Sequence, residues 1–173
     1  TIPVEQTGRG GSYTYHGPGQ RIIYVMMDLT KQEKDIRKFV WNLEQWVIDT
    51  LVEFNIFAER RKNRVVIWVI NKKNEQYNST PNLDLKIGSI GLRLKNWISY
   101  FGISINVCND LSYFDGIIPC GNLGFGVTSI WEQGQKTSLT ELDYVLKQKF
   151  DSIFNIDHTK KKMRSATINT VET

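Results

Sequence analysis

The chain has 173 residues, of which 40% are hydrophobic and 12% aromatic, a composition that fits one globular domain with a sizeable core. Its net charge of +4 comes from cations mixed with acids everywhere except KKKMR near the end, which argues against a nucleic-acid-binding stripe. Two cysteines exclude a disulfide framework, and no apolar run reaches the roughly 18 residues of a membrane span, so we expect a reducing, cytoplasmic location.

The first feature in chain order is a glycine-rich segment, RGGSYTYHGPGQ (Arg9–Gln20), which contains four glycines and one of the two histidines. Glycines at this density either allow positive φ angles in a tight turn or allow a ligand to lie directly against the backbone. The residues alone leave both alternatives open. Because the chain begins at Thr1 and reaches this segment within a few residues, we expect a natural segment upstream of it.

Two strands, a helix and a loop are predicted next. RIIYVMMDL (Arg21–Leu29) is a near-continuous apolar run and predicts a buried strand. Apolar residues then recur at spacings of three and four from Lys31 to Phe54, which predicts one long amphipathic helix. RVVIWVI (Arg64–Ile70) is β-branched and aromatic, so it predicts a second strand. The polar segment Asn71–Asp84 is expected to be an exposed loop.

The second half of the chain predicts a hairpin and a second helix. Lys86–Leu94 and Trp97–Val107 are two apolar runs with a short polar break between them, as in paired strands. Ser138 and Glu141 have the spacing of a capping box, and the apolar residues that follow predict a helix ending near Phe154.

Strands around two amphipathic helices predict an α+β (mixed α/β) domain, with the helices packed mainly on one face of the sheet. We assign this domain to residues 1–156. Residues 157–173 have no aromatic residue and few apolar ones, so we expect a polar, disordered tail.

The candidate nucleophile is Cys120, which lies in IIPCGN, because a Pro-Cys-Gly turn after an apolar run exposes its sulfur. A buried, inert cysteine is the commoner case by residue type, and Cys108 fits that description. A reactive cysteine needs a cation, a helix N-terminus or a base to lower its pKa. Neither His16 nor His158 is obviously placed for this, whereas Lys86, at the start of KIGSIG, is a candidate; a solvated strand-end lysine is the alternative.

Four segments, RGGSYTYHGPGQ, KIGSIGLR, GISINV and GIIPCG, occur in this order and resemble the lipoyl(octanoyl) transferase family. The resemblance extends from Ile2 to Phe154 and is greatest to alphaproteobacterial members. It implies a biotin/lipoate protein ligase-like fold with a mixed sheet. It also implies transfer of an octanoyl or lipoyl group from acyl carrier protein, through a cysteine thioester, to a lysine of a lipoyl domain, as a step of lipoate biosynthesis.

The resemblance assigns roles to individual residues. It makes Cys120 the nucleophile and Lys86 the catalytic lysine that supports it, which requires partial burial to lower the lysine pKa. It assigns substrate contacts to three segments: Arg9, Gly10, Gly11, Ser12, Tyr13, Thr14, Tyr15 and His16; Ser89, Ile90 and Gly91; and Gly102, Ile103 and Ser104.

The resemblance implies no cofactor and no metal, since the octanoyl group arrives activated on the phosphopantetheine of acyl carrier protein. The implied partners are octanoyl-acyl carrier protein, the lipoyl domains of 2-oxoacid dehydrogenase complexes and the glycine cleavage H protein, with no nucleic acid or membrane. The cysteines and histidines also lack the spacing of a zinc site.

The sequence departs from the family at several points. Family members carry further residues ahead of the glycine-rich segment, the loop Asn71–Asp84 is long and polar, and Phe101 stands where members usually have histidine. Two alternatives stay open. One is an ATP-dependent lipoate or biotin protein ligase, although those carry an aspartate after Tyr-His where this chain has Gly17. The other is a non-catalytic module that binds acidic carrier domains through a mildly basic surface.

Overall fold

A computed structural model describes residues 2–61, 64–70, 84–117, 125–155 and 168–170. The elements in chain order are β1 Gln20–Val25, α1 Ile36–Val52, β2 Ala58–Arg61, β3 Arg64–Ile70, β4 Asp84–Lys95, β5 Ile98–Asn106, β6 Gly126–Val127, α2 Leu139–Phe154 and β7 Ile168–Thr170. Short 3-10 turns occupy Leu29–Lys31 and Leu111–Phe114.

The strands form one mixed sheet in the order β2-β3-β4-β5-β1-β7. All neighbours along this path are antiparallel, and β6 adds a short parallel pair to β4. The hairpin predicted for β4 and β5 is confirmed, since the two strands pair continuously from Gly88 with Ile105 to Lys95 with Ile98.

The two helices cover one face of this sheet, as predicted. Residues that alternate along the strands, such as Ile23 and Val25 of β1 and Ile67 of β3, join the helix side chains in one hydrophobic core. Trp46 of α1 is fully buried there, and its indole Nε1 donates to the carbonyl oxygen of Leu146 in α2 at 2.8 Å. The intervening strand residues face the opposite side, and that side contains the candidate site.

Two predicted boundaries were wrong. Strand β1 ends at Val25 because Asp28 caps a 3-10 turn, its carboxylate accepting from the backbone N–H of Thr30. Helix α1 begins at Ile36 because Lys34 has a positive φ of 51° and Asp35 caps the helix, accepting from two backbone N–H groups.

Part of the expected tail also departs from the prediction. Ile168–Thr170 pairs antiparallel with Ile23–Val25 of β1. The edge of β1 would otherwise leave a row of backbone donors and acceptors unpaired, which explains why a polar segment joins the sheet there. The other residues after Asn155 lie outside the described part of the chain, as does the loop predicted for Asn71–Asp84 except for Asp84, which begins β4. Within the described residues, no helix has the length and apolar character needed to cross a membrane.

Helix α2 begins where the sequence predicts, and this start gives a stability prediction. The Ser138 hydroxyl accepts from the backbone N–H of Glu141, while the Glu141 carboxylate accepts from the backbone N–H of Ser138 at 2.8 Å. Ser138→Ala is therefore expected to lower the free energy of unfolding by about 1 kcal/mol, measured by urea denaturation. Ser152→Ala near the end of the same helix is the control and should change it by less than about 0.5 kcal/mol. Equal effects of the two changes would contradict the capping role.

Candidate active site

A cavity of about 860 Å³ lies on the sheet face opposite the helices. Its walls come from the glycine-rich segment and from strands β1, β3, β4 and β5. Every described residue to which the resemblance assigned catalysis or substrate contact lines it: Arg9, Gly10, Gly11, Ser12, Tyr13, Thr14, Tyr15, His16, Lys86, Ser89, Ile90, Gly91, Gly102, Ile103 and Ser104. Cys120 lies outside the described residues.

The glycine-rich segment runs beside β4 and forms one wall of the cavity. The backbone N–H of Gly10 donates to the carbonyl oxygen of Leu92 at 2.9 Å, which joins the segment to the strand. Gly11 has a φ of 94°, in the region that favours glycine. The interpretation as a turn is therefore confirmed at Gly11, and Gly10 lines the cavity, where contact of a ligand with the backbone stays a prediction.

The register of β4 and β5 places the other two predicted segments side by side. Ser89 pairs with Ser104, Ile90 with Ile103, and Gly91 with Gly102. Sequence reasoning missed further wall residues, namely Ile22 and Tyr24 of β1, Val66 and Trp68 of β3, and Phe125. Because side chains alternate between the two faces of a strand, the sequence shows which residues of β1 and β3 share a face. It does not show which face the helices cover.

Gly102 of β5 packs tightly against the backbone of β1. A β-carbon at this position would overlap the carbonyl oxygen of Ile23, and the preceding residue, Phe101, has a φ of 64°. Phe101 also lines the cavity. A non-glycine residue with a left-handed backbone in a strand is strained, so the surrounding pairing must hold it in place.

We expect Gly102→Ala to lower the free energy of unfolding by at least about 1–3 kcal/mol, because the added methyl group meets backbone that cannot move without breaking β1 from β5. Thermal unfolding followed by circular dichroism measures this loss. Gly116→Ala is the matched control, since a β-carbon there meets no atom within 4 Å. A Gly102→Ala protein as stable as the control would contradict this account of the strand contact.

Lys86 is buried, with 5% of its surface exposed. In β4 it lies between Trp68 of β3 and Val127 of β6, and its carbonyl oxygen accepts from the backbone N–H of Thr128 at 2.9 Å. Lys86 lines the cavity together with Trp68 and Phe125, whose rings have centroids 4.9 Å apart. The alternative of a solvated strand-end lysine is therefore wrong.

The end of the glycine-rich segment is anchored by aromatic contacts and by a glutamine. Tyr15 stacks on Tyr113 with centroids 4.8 Å apart and meets Phe114 edge-on. Burial, followed by the neighbouring charges of Tyr113 and Asp110, raises the pKa of the Tyr15 phenol and so favours its protonated form further. His16 hydrogen-bonds through Nδ1 to the Gln20 side chain at 2.7 Å.

Cys108 was expected to be buried and is exposed. Strand β5 ends at Asn106, and the chain then turns so that Val107 is fully buried and the next side chain faces solvent. The described residues include no cluster of histidine, cysteine or carboxylate side chains that could hold a metal ion.

The fold is that of lipoate and biotin protein ligase-like domains. It superposes on the bipartite lipoate protein ligase of Thermoplasma acidophilum with a TM-score of 0.63 and 15% identity, over 87% of this chain and 57% of that one. Its TM-score to a lipoate-protein ligase A structure bound with ATP is 0.61, with 18% identity over 87% of this chain and 58% of that one. At these identities the likeness shows the fold alone.

Sequence comparison is more specific. The model of the lipoyl protein ligase A/B catalytic domain matches residues 1–151, and the chain belongs to this family. It is 48% identical over 159 residues to the octanoyltransferase of Brucella suis biovar 1, covering 92% of this chain and 60% of that protein. It is 50% identical over 153 residues to the octanoyltransferase of Rhodospirillum rubrum, covering 88% of this chain and 67% of that protein. The chain thus spans about 60% of the length of the first of these relatives.

Proposed function

We propose that the protein is an octanoyltransferase of lipoate biosynthesis, which moves an octanoyl group from acyl carrier protein to a lysine of a lipoyl domain. The observation that carries the proposal is the single cavity that combines the glycine-rich segment, the paired segments of β4 and β5, and the buried Lys86. The octanoyltransferase relatives support the choice of reaction. No cofactor is required, because a thioester donor is already activated.

The proposed reaction has two steps, which first form and then consume a thioester on Cys120. The Cys120 thiolate attacks the carbonyl carbon of the octanoyl thioester, and the phosphopantetheine sulfur leaves as a thiolate. The lysine amine of the lipoyl domain then attacks the new thioester, an amide bond forms, and the Cys120 sulfur leaves as thiolate. A thiolate is suited to this exchange because the second thioester keeps the acyl group reactive toward an amine.

Lys86 supports both steps in the proposal. As an ammonium group it would stabilise the Cys120 thiolate, and in its neutral form it would accept the proton that the attacking amine loses. Burial disfavours the charged form of a lysine, which brings the two forms closer in free energy. Cys120 lies five positions before Phe125, which lines the same cavity as Lys86.

The cavity fits a medium-length acyl chain. Its volume of about 860 Å³ lies within the roughly 300–1,000 Å³ typical of small-molecule sites. The walls include apolar side chains of β1, β3 and β4, among them Ile22, Val66 and Ile90. Bare backbone of the glycine-rich segment leaves room for the thioester end.

The test is the intact mass of the protein after brief incubation with octanoyl-acyl carrier protein, followed by peptide mapping. We expect a gain of one octanoyl group on Cys120, which is then lost when a lipoyl domain from a 2-oxoacid dehydrogenase complex or the glycine cleavage H protein is added. Octanoylation of the lipoyl domain only with free octanoate and ATP would instead identify a ligase. Binding to the carrier without any covalent adduct would identify a non-catalytic module.

A further inference from the structure

A chain of buried amides leads from the protein interior to His16 at the cavity wall. Asn106 of β5 and Gln20 of β1 pair directly across the sheet, and each is 3% exposed. Gln20 in turn contacts His16, which lines the cavity. Because the two amides are buried, their hydrogen bonds are not exchanged freely with water, and their orientation controls the histidine.

A backbone carbonyl group determines which atom donates and which accepts in this series of hydrogen bonds. The Asn106 side-chain Nδ2 donates to the carbonyl oxygen of Thr128 at 3.0 Å, and a carbonyl can only accept. Asn106 Oδ1 must therefore be the acceptor at the other end of the amide. It receives hydrogen bonds from Gln20 Nε2 at 2.8 Å and from Asn109 Nδ2 at 3.4 Å.

The same reasoning determines the orientation of the Gln20 side-chain amide. Its Nε2 donates to Asn106 Oδ1 and to the carbonyl oxygen of Tyr15 at 3.3 Å, so its Oε1 faces His16. That oxygen only accepts, and it lies 2.7 Å from His16 Nδ1. The imidazole must therefore carry its proton on Nδ1, and in the neutral ring Nε2 is a hydrogen-bond acceptor.

We infer that Gln20 is a positioning residue which holds His16 in the Nδ1–H tautomer, so that Nε2 accepts a hydrogen bond from the incoming lysine amine. This assignment rests on the proposed octanoyl transfer. A thioester carbonyl and its oxyanion need donors, which the neutral ring does not offer through Nε2. An attacking amine has N–H groups to donate, so His16 serves the second step and leaves acylation of Cys120 unchanged.

The tautomer is measured directly by nitrogen NMR of labelled histidine. The chain has two histidines, so His158→Gln leaves a single imidazole and removes ambiguity in assignment. We expect a protonated Nδ1 and an unprotonated Nε2 in this background. Gln20→Met, which keeps the side-chain length and removes both polar atoms, should convert the spectrum to a mixture of tautomers. Gln20→Glu retains an acceptor and should retain the Nδ1–H form.

The kinetic test separates the two steps of the reaction. For Gln20→Met we expect acylation of Cys120 within about twofold of the unmodified protein, and transfer to a lipoyl domain slower by roughly ten- to hundredfold, the size of effect seen when metal-bound histidines lose the group that orients them. Gln133→Met is the matched control. Gln133 Nε2 donates to Thr128 Oγ1 at 2.8 Å. Thr128 is the member of the hydrogen-bonded series that lies farthest from His16 along it.

The inference is overturned if the His158→Gln protein shows an Nε2–H tautomer, or if Gln20→Met changes neither tautomer nor transfer. An equal loss in both steps would indicate a merely structural role. Absence of an octanoyl adduct in the unmodified protein would instead overturn the proposed function, and with it the role toward the amine. The NMR result does not depend on activity, so the two failures are distinguishable.

Discussion

Cys120→Ser is expected to abolish octanoyl transfer, with a rate loss of at least roughly a thousandfold and no covalent adduct. A serine hydroxyl at neutral pH is almost entirely protonated and is a far weaker nucleophile than a thiolate. The exchange changes one atom, so the free energy of unfolding should stay within about 0.5 kcal/mol of the unmodified protein. The measurement is the intact mass after exposure to octanoyl-acyl carrier protein, combined with the steady-state rate of lipoyl-domain octanoylation.

Cys108→Ser is the matched control for this prediction. Cys108 is exposed and does not line the cavity, so its replacement should leave both the adduct and the rate unchanged. Turnover by Cys120→Ser near the unmodified rate would refute the thioester intermediate. A large loss in Cys108→Ser would show that the nucleophile was assigned to the wrong cysteine.

The sequence predicted elements whose signals are local. Helix α2 begins at its capping box because Ser138 and Glu141 satisfy each other's backbone groups without help from the rest of the fold. The start of α1 was predicted too early because residues 31–35 contain no glycine or proline to mark a break, and the apolar spacing, which begins at Ile36, does not register the left-handed turn at Lys34. The cap at Asp35 was the available local signal.

Features that depend on distant parts of the chain could not be predicted in the same way. The resemblance located the glycine-rich segment and its partner strands, but Tyr24 and Trp68 were missed as cavity residues. Their strands are apolar on both faces, so only the packing of α1 and α2 shows which side faces the cavity. Cys108 was predicted to be buried because that is the commoner state of a cysteine, whereas the end of β5 turns it outward.

The second large effect is expected at Lys86. Lys86→Met keeps the length of the side chain and removes its charge, so acylation of Cys120 should slow by roughly a hundredfold or more. The Cys120 pKa should rise without the nearby cation, which makes iodoacetamide labelling of Cys120 slower at pH 7. Lys95→Met on the same strand is the control, because Lys95 is exposed and lies outside the cavity.

Lys86→Arg separates the two roles proposed for the lysine. Arginine stays charged at any pH compatible with folding, so it should preserve rapid labelling of Cys120 but accept no proton from the amine. We therefore expect labelling close to that of the unmodified protein together with transfer to the lipoyl domain reduced by roughly a hundredfold. Normal transfer in Lys86→Arg would assign the proton to another acceptor and leave the lysine as a cation only.

The free energy of unfolding of Lys86→Met distinguishes a catalytic role of Lys86 from a structural one. Burying a charged group costs free energy, but replacing Lys86 with methionine also removes whatever interaction the ammonium group makes, so the free energy of unfolding must be measured beside the rate. A protein that is as stable as before but slow to acylate has lost chemistry and not structure. If Lys86→Met instead lowers stability by about 3 kcal/mol or more, the lysine charge is required by a buried partner, and its effect on rate no longer supports the proposed mechanism.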